Sequence, residues 1–237
     1  MTERKFLTFW EEDCNIEDFK QWCGSPDAGF KSFERNYIKQ KNYKSVLDIG
    51  AGVYSEYHGF KKDKIDIDYT ATEITEKFIS LGKDQEINVV RAYSQDLPFE
   101  DNTFDAVLCY DILEHQLDFK ESILEMYRVC KSDVIISFFK SFTEEARCRE
   151  EVYKNLVYDN FKVEKSKETE GVIVHRLINS DGNTSAVYHF YCYSEILNFL
   201  EDNNMAFDFY EVAEDWATNP QDRKNISRRM LKIHKRD

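Results

Sequence analysis

The side chains best placed to do chemistry in this 237-residue chain sit where apolar stretches end. The run Val46-Leu47-Asp48-Ile49-Gly50-Ala51-Gly52 closes in a glycine turn. Small residues at such a turn let the backbone approach a ligand and leave N–H groups at the start of the next helix. Glu73 follows about 20 residues on, the spacing at which a carboxylate grips a ribose diol, two acceptor oxygens meeting two hydroxyl donors. Asp111, Glu114 and His115 stand at i, i+3 and i+4, so a helix beginning at Asp111 presents all three on one face. Two carboxylates and an imidazole so arranged can ligate a divalent metal, and a metal there would polarise a hydroxyl acceptor.

These residues need elements to hold them, and the hydrophobic period supplies a reading. Ser45–Ile49, Asp66–Thr72, Ile87–Ala92, Phe104–Tyr110 and Asp133–Phe139 read as five short strands. Helical patterns fall between most of them, notably Thr75–Leu81 and Ile112–Val129. Alternating strands and helices with near-continuous apolar strands imply a parallel sheet covered on both faces. Upstream, residues 1–42 read as amphipathic helices, with aromatic residues such as Phe9, Trp10, Phe19, Trp22, Phe30, Phe33 and Tyr37 at helical spacing. They could form a lid over a substrate or a cage for a cationic amine. Helical spacing favours plain packing onto the sheet.

Beyond Lys140 the alternation stops. Residues 142–158 look helical and charged, while Val172–Leu177 and Thr184–Tyr191 flank Asn179-Ser-Asp-Gly-Asn183, a hairpin signal. Ser194–Asn203 reads as a helix with Ser194 as its N-cap. Phe207–Val212 and Arg228–His234 are strand-like and could close the sheet antiparallel. The organisation expected is a helical cap over 1–42, a core over 43–140, an inserted helix and hairpin over 141–193, and completion of the core sheet over 194–237.

Composition narrows the function classes. Apolar residues make up 42% of the chain, enough for a sizeable core, and the N-terminus lacks a signal-peptide apolar run. A soluble cytoplasmic protein is expected. Lys+Arg 32 against Asp+Glu 45 leaves −13, and the basic residues Arg223, Lys224, Arg228, Arg229, Lys232, Lys235 and Arg236 gather near the end. The remaining body is strongly acidic and repels phosphate backbones, which counts against nucleic acid as a partner. The six cysteines include no C-x-x-C pair, which counts against a disulfide framework and a structural zinc site.

The glycine turn and Glu73 are joined by Gln95-Asp96-Leu97-Pro98-Phe99 through Phe104-Asp105, and by Asp111-Ile-Leu-Glu-His115. With these residues together, the segment from about 44 to 140 resembles the class I S-adenosylmethionine-dependent methyltransferases, the group with an L-P-F…F-D loop and a D-x-L-E-H helix start. The resemblance implies an α/β, Rossmann-like, seven-stranded, mostly parallel sheet with helices on both faces, an N-terminal helical cap and an inserted β-hairpin lid. It implies S-adenosylmethionine as cofactor and S-adenosylhomocysteine as product. On that likeness Asp48, Gly50, Ala51 and Gly52 hold the methionine end, and Glu73 accepts from the ribose hydroxyls. Ile74 packs on the adenine, Ser94, Gln95 and Asp96 border it, and Tyr110 and Asp111 face the methyl group.

Methyl transfer to oxygen or nitrogen of a small metabolite or sugar-like acceptor is the expected reaction. His115 and His189 are the candidate bases, and Tyr110 shapes the pocket. In the wider group the L-E-H segment braces the pocket without metal, so the metal set Asp111, Glu114, His115 and His189 is the alternative. Tyr54 stands where many members have a third glycine, and Tyr93 where an acid often sits. Either could crowd the cofactor, which is the ground for a further alternative, a non-catalytic partner subunit.

Overall fold

The computed structural model describes residues 10, 12, 14–23, 25–138, 162–169, 171–178, 180–213 and 227–235. Among them the strands form a seven-stranded sheet and a separate three-stranded sheet. Helices α1 (Ile16–Cys23) and α2 (Gly29–Lys41) precede β1 (Ser45–Ile49), α3 (Ser55–Lys62), β2 (Asp68–Glu73), α4 (Glu76–Asp84) and β3 (Asn88–Arg91). There follow β4 (Phe104–Tyr110), α5 (Phe119–Val129) and β5 (Cys130–Phe138). The small sheet comprises β6 (Lys162–Glu168), β7 (Val172–Ile178) and β8 (Thr184–Tyr191), after which α6 (Tyr193–Asp202), β9 (Ala206–Ala213) and β10 (Ser227–His234) return to the main sheet.

The large sheet runs β3-β2-β1-β4-β5-β10-β9. Strands β1 to β5 pair parallel, while β10 lies antiparallel to both β5 and β9. Strand order reverses between β1 and β4, the place beyond the carboxyl ends of the strands where open α/β sheets bind ligands. This is the seven-stranded, mostly parallel sheet expected from the sequence. One apolar layer, containing Leu47, Val107, Ile123 and Leu231, packs beneath α5 and α6. The other, with Val46, Leu108, Ile135 and Met230, faces α2 and α3.

Several local expectations need correction. The chain from Ile112 to Val129 is not one helix: a 3₁₀ turn over Leu113–His115 precedes α5, which starts at Phe119 behind an Asp118 cap. The N-cap of α6 is Cys192, not Ser194. The charged strand β6 was not anticipated; it pairs antiparallel with β7, extending the expected β7–β8 hairpin. The helix expected over 142–158 lies outside the described residues.

Helix α2 reverses the simple amphipathic reading. Phe33 is 50% exposed, whereas Lys31, Glu34 and Arg35 are buried beside Phe30 and Ile38. Arg35 donates to Asp63 at 2.8 Å, to Glu56 at 3.3 Å and to the Pro26 carbonyl at 2.7 Å. Glu34 accepts from the Tyr210 hydroxyl and meets Lys232 at 3.1 Å. A helix can thus bury charge where partners from α3, β9 and β10 neutralise it.

Tyr54 takes the left-handed conformation (φ 59°) that a third glycine would adopt. Its ring is fully buried in the layer facing α2 and α3, and its hydroxyl donates to the Phe78 carbonyl at 2.6 Å. The room comes from Gly82, where a Cβ would lie 2.5 Å from the Tyr54 hydroxyl oxygen and from Val89. Gly82→Ala is therefore expected to destabilise the protein by about 1–3 kcal/mol through overpacking. Thermal unfolding with and without a companion Tyr54→Phe change checks this, since the shorter ring should recover part of the loss.

Candidate active site

The glycine turn is tied to the end of β2. The Gly50 and Ala51 N–H groups donate to the Thr72 carbonyl at 2.9 and 3.2 Å, and Gly52 N–H donates to Glu73 Oε1 at 2.7 Å. Both glycines have positive φ, 63° and 56°. A Cβ on Gly50 would strike Ile112 at 2.5 Å, and one on Gly52 would strike Phe19 of α1 at 2.7 Å. Only glycine fits either place.

Glu73 is buried, with its second oxygen accepting from Ile74 N–H at 3.0 Å. Burial raises its pKa to about 6, against the lowering effect of the Gly52, Ile74 and Thr75 N–H groups. Asp48, also buried, accepts from the Tyr69 hydroxyl. Burial pushes it to about 7, with Tyr69 and Lys31 opposing and Glu56 and Glu73 reinforcing the rise. Two carboxylates thus stand at neighbouring strand ends, each poised to gain from a donor-bearing ligand.

The loop after β3 is clamped from below. Arg128 of α5 donates to the Leu97 and Phe99 carbonyls at 3.0 and 2.8 Å and pairs with Asp101 and Glu125. Ser94 is buried against Ser122 at 2.9 Å, Gln95 contacts Gln116, and Asp96 is exposed. Tyr93 bridges to Asp96 and is 38% exposed. Tyr54, folded away in the core, leaves the glycine turn uncrowded on its side. The clamp was missed in the sequence, although Glu125 and Arg128 at i and i+3 on a helix are a readable pair.

Beyond β4 the arrangement differs from expectation. Asp111 has φ 59°, and both its oxygens accept from Arg228 Nη1, at 2.8 and 2.7 Å. Ser137 Oγ adds a bond of 2.7 Å. Asp111, Glu114 and His115 do not share the face of an α-helix, because the backbone turns at Asp111 and continues as a single 3₁₀ turn. Among the described residues no group of three or more His, Cys, Asp or Glu side chains could hold a metal ion. The alternative set Asp111, Glu114, His115 and His189 is therefore not assembled as a metal centre.

His115 is half-buried between aromatic rings, 5.2 Å from Trp10 and 4.7 Å from Tyr188 between centroids. Its surroundings lower its pKa to about 4: desolvation dominates, Asp111 opposes it, and His189 reinforces it. The imidazole is neutral at physiological pH. Tyr191, on the same strand as His189, donates to the Gln116 carbonyl at 2.6 Å and holds the small sheet against this turn. Trp10, Cys14 and Phe19 complete the cover by packing with Val53, Phe78 and β8 residues such as Tyr188 and Phe190. The Tyr110 hydroxyl is buried in the layer that faces α2, where its ring meets Phe30 at 5.2 Å.

Other histidines are placed as follows. His58 is exposed on α3 beside Tyr57. His234 is pinned between Asp133 at 2.7 Å and Asp208 at 3.0 Å at the opposite edge of the sheet, a structural position.

The strand order, the glycine turn and the acid at the end of β2 together define a class I methyltransferase fold. Residues 47–138 match the family described as "Methyltransferase domain". A demethylmenaquinone methyltransferase of Corynebacterium glutamicum is 30% identical over 105 residues, 44% of this chain and 45% of that relative. The match thus spans less than half of the curated relative's length.

Solved structures are similar over more of the chain. The magnesium protoporphyrin IX methyltransferase of Synechocystis PCC 6803, with bound S-adenosylhomocysteine, covers 97% of this chain and 91% of its own at TM-score 0.58 and 12% identity. The 1,6-didemethyltoxoflavin-N1-methyltransferase of Burkholderia thailandensis, with its named acceptor and S-adenosylhomocysteine bound, covers 84% and 75% at TM-score 0.52 and 14% identity. Among the described residues no helix is long and apolar enough to cross a membrane.

Proposed function

We propose that the protein transfers a methyl group from S-adenosylmethionine to an oxygen or nitrogen atom of a small acceptor. The observation that carries this reading is Glu73, a buried carboxylate held at the end of β2 by the N–H of the glycine turn. Its remaining lone pairs match a ribose diol. In this reading Ile74 packs on the adenine, Ser94, Gln95 and Asp96 border it, and Asp48, Gly50, Ala51 and Gly52 line the methionine end. When bound, the cofactor supplies an electrophilic methyl group and a good leaving thioether. The protein's task is then to hold the acceptor in line and exclude water.

His115 accepts the proton-bearing edge of the acceptor, assisted by His189 and oriented by the turn that Asp111 begins. Trp10 and Tyr188 around His115 support an acceptor with a planar ring. The demethylmenaquinone named for the curated relative is in keeping with that class. Calorimetric titration of metal-stripped protein with S-adenosylhomocysteine tests the cofactor reading. Micromolar binding, about −8 kcal/mol, is expected, and no detectable binding overturns it.

His115→Ala is expected to lower kcat by about 100-fold or more at saturating cofactor, the usual scale for loss of a general base. Because the imidazole protonates only near pH 4, its contribution is constant above about pH 5 and lost below. A kcat profile of wild type and variant from pH 4 to 9 checks both points.

A further inference from the structure

Glu56, two positions beyond Tyr54 on α3, is a poorly satisfied buried charge. Its side chain is 2% exposed, and one oxygen receives a single long bond of 3.3 Å from Arg35. The other, Oε1, has no hydrogen-bond partner among the described residues. The Tyr110 hydroxyl, at the end of β4, is likewise buried without a partner, and Glu56 is the foremost of the charges acting on it. A buried carboxylate ordinarily collects several donors, because its lost hydration must be replaced.

Anchoring Arg35 does not account for Glu56. Arg35 already has Asp63 at 2.8 Å and the Pro26 carbonyl at 2.7 Å. A second carboxylate, fully buried and held at 3.3 Å, costs more in desolvation than that one contact returns.

A buried cation acts on Glu56. Lys31 of α2 is buried, donates to Ser55 Oγ at 2.6 Å, and acts electrostatically on both Asp48 and Glu56. Lys31, Ser55, Glu56 and Tyr110 come from α2, α3 and β4; Lys31 bonds Ser55, Glu56 acts on both Lys31 and Tyr110, and Ser55 and Glu56 follow the glycine turn directly on the start of α3. A cation with a hydroxyl on one side and a donor-seeking carboxylate with a phenol on the other are complementary to a zwitterion. An α-amino acid, with ammonium and carboxylate on one carbon, fits that pattern and adds no net charge to the interior.

We propose that Lys31 and Glu56 bind the amino-acid end of the cofactor. Lys31 Nζ and Ser55 Oγ take its carboxylate, while Glu56 Oε1 and the Tyr110 oxygen take its ammonium. The inference rests on the cofactor reading above and adds residues outside the glycine turn.

The test compares two ligands on wild type, Lys31→Met, Glu56→Gln and Tyr110→Phe. S-Adenosylhomocysteine carries the amino-acid end, whereas 5′-methylthioadenosine keeps the adenosine and the thioether but lacks it. By calorimetry, Lys31→Met and Glu56→Gln should each weaken S-adenosylhomocysteine by about 10- to 100-fold, the scale of a charged hydrogen bond, and leave methylthioadenosine affinity unchanged. Tyr110→Phe removes a single hydroxyl and should show a smaller loss with the same selectivity. Retained methylthioadenosine binding also reports that each variant is folded.

Equal losses for both ligands, or no loss for either, overturn the assignment while leaving the cofactor reading intact. A wild type that binds neither ligand overturns both.

Discussion

A Glu73→Ala protein is expected to bind S-adenosylhomocysteine about 100-fold more weakly than wild type. The proposed diol contact comprises two hydroxyls donating to an ionised acceptor, each such bond being worth about 1.5–3 kcal/mol. Losing both removes on the order of 3 kcal/mol or more, and 1.4 kcal/mol is tenfold in affinity. The pH dependence follows from the carboxyl's pKa of about 6 in the free protein. Above that value Glu73 is an acceptor-only carboxylate; below it, a proton must leave before the diol can be bound. Wild-type affinity should therefore fall as pH drops through 6, and the variant should lose that limb. Titrations at pH 5, 6 and 8 decide the matter. An alanine variant that still binds in the wild-type range would remove Glu73 from the site.

The largest loss of stability is expected at Arg35. Its guanidinium is 1% exposed, and it joins α2 to Glu56, Asp63 and the Pro26 carbonyl. The methylene-free side of Gly59 makes its room, since a Cβ there would collide with the guanidinium. Arg35→Met keeps the apolar stem but strands Glu56 in the interior, and breaking a buried pair from one side costs about 3–5 kcal/mol. For a chain of this size that is a fall in Tm of about 6–20 °C. Thermal unfolding measures it, with Lys20→Ala as the comparison. The Lys20–Glu17 pair is well exposed, and its removal should change little.

The two strands most accurately legible in the sequence, Ser45–Ile49 and Phe104–Tyr110, are apolar runs bounded by turn residues. They are buried on both faces, so their composition is dictated by position alone. Gly50, Gly52 and Glu73 were legible for a related reason: positive φ and a strand-end carboxylate are local requirements that leave local marks. The hairpin of β7 and β8 followed from its turn, where Gly182 has φ 80°.

What stayed hidden was every feature set by a partner distant in the chain. Periodicity placed Phe33 on the inner face of α2, yet Lys31, Glu34 and Arg35 are buried there, matched to Ser55, Glu56, Asp63, Tyr210 and Lys232. Hydropathy assigns a cost to each charge singly, and only the folded chain shows which charges cancel. Strand β6, rich in Lys and Glu, carries no apolar alternation to announce it, and its pairing with β7 makes it a strand.

Asp111 shows the same division. Its place at the end of β4 could be read, but not its partner Arg228, 117 residues later. Spacing suggested a helical face shared with Glu114 and His115; tertiary pairing turned the backbone there instead. The sequence by itself determined the sheet, the glycine turn and the acid that faces it, because these are constraints of backbone shape and burial. Tertiary structure alone decided which polar groups end up satisfied, and left one Glu56 oxygen and the Tyr110 hydroxyl buried with no hydrogen-bond partner among the described residues.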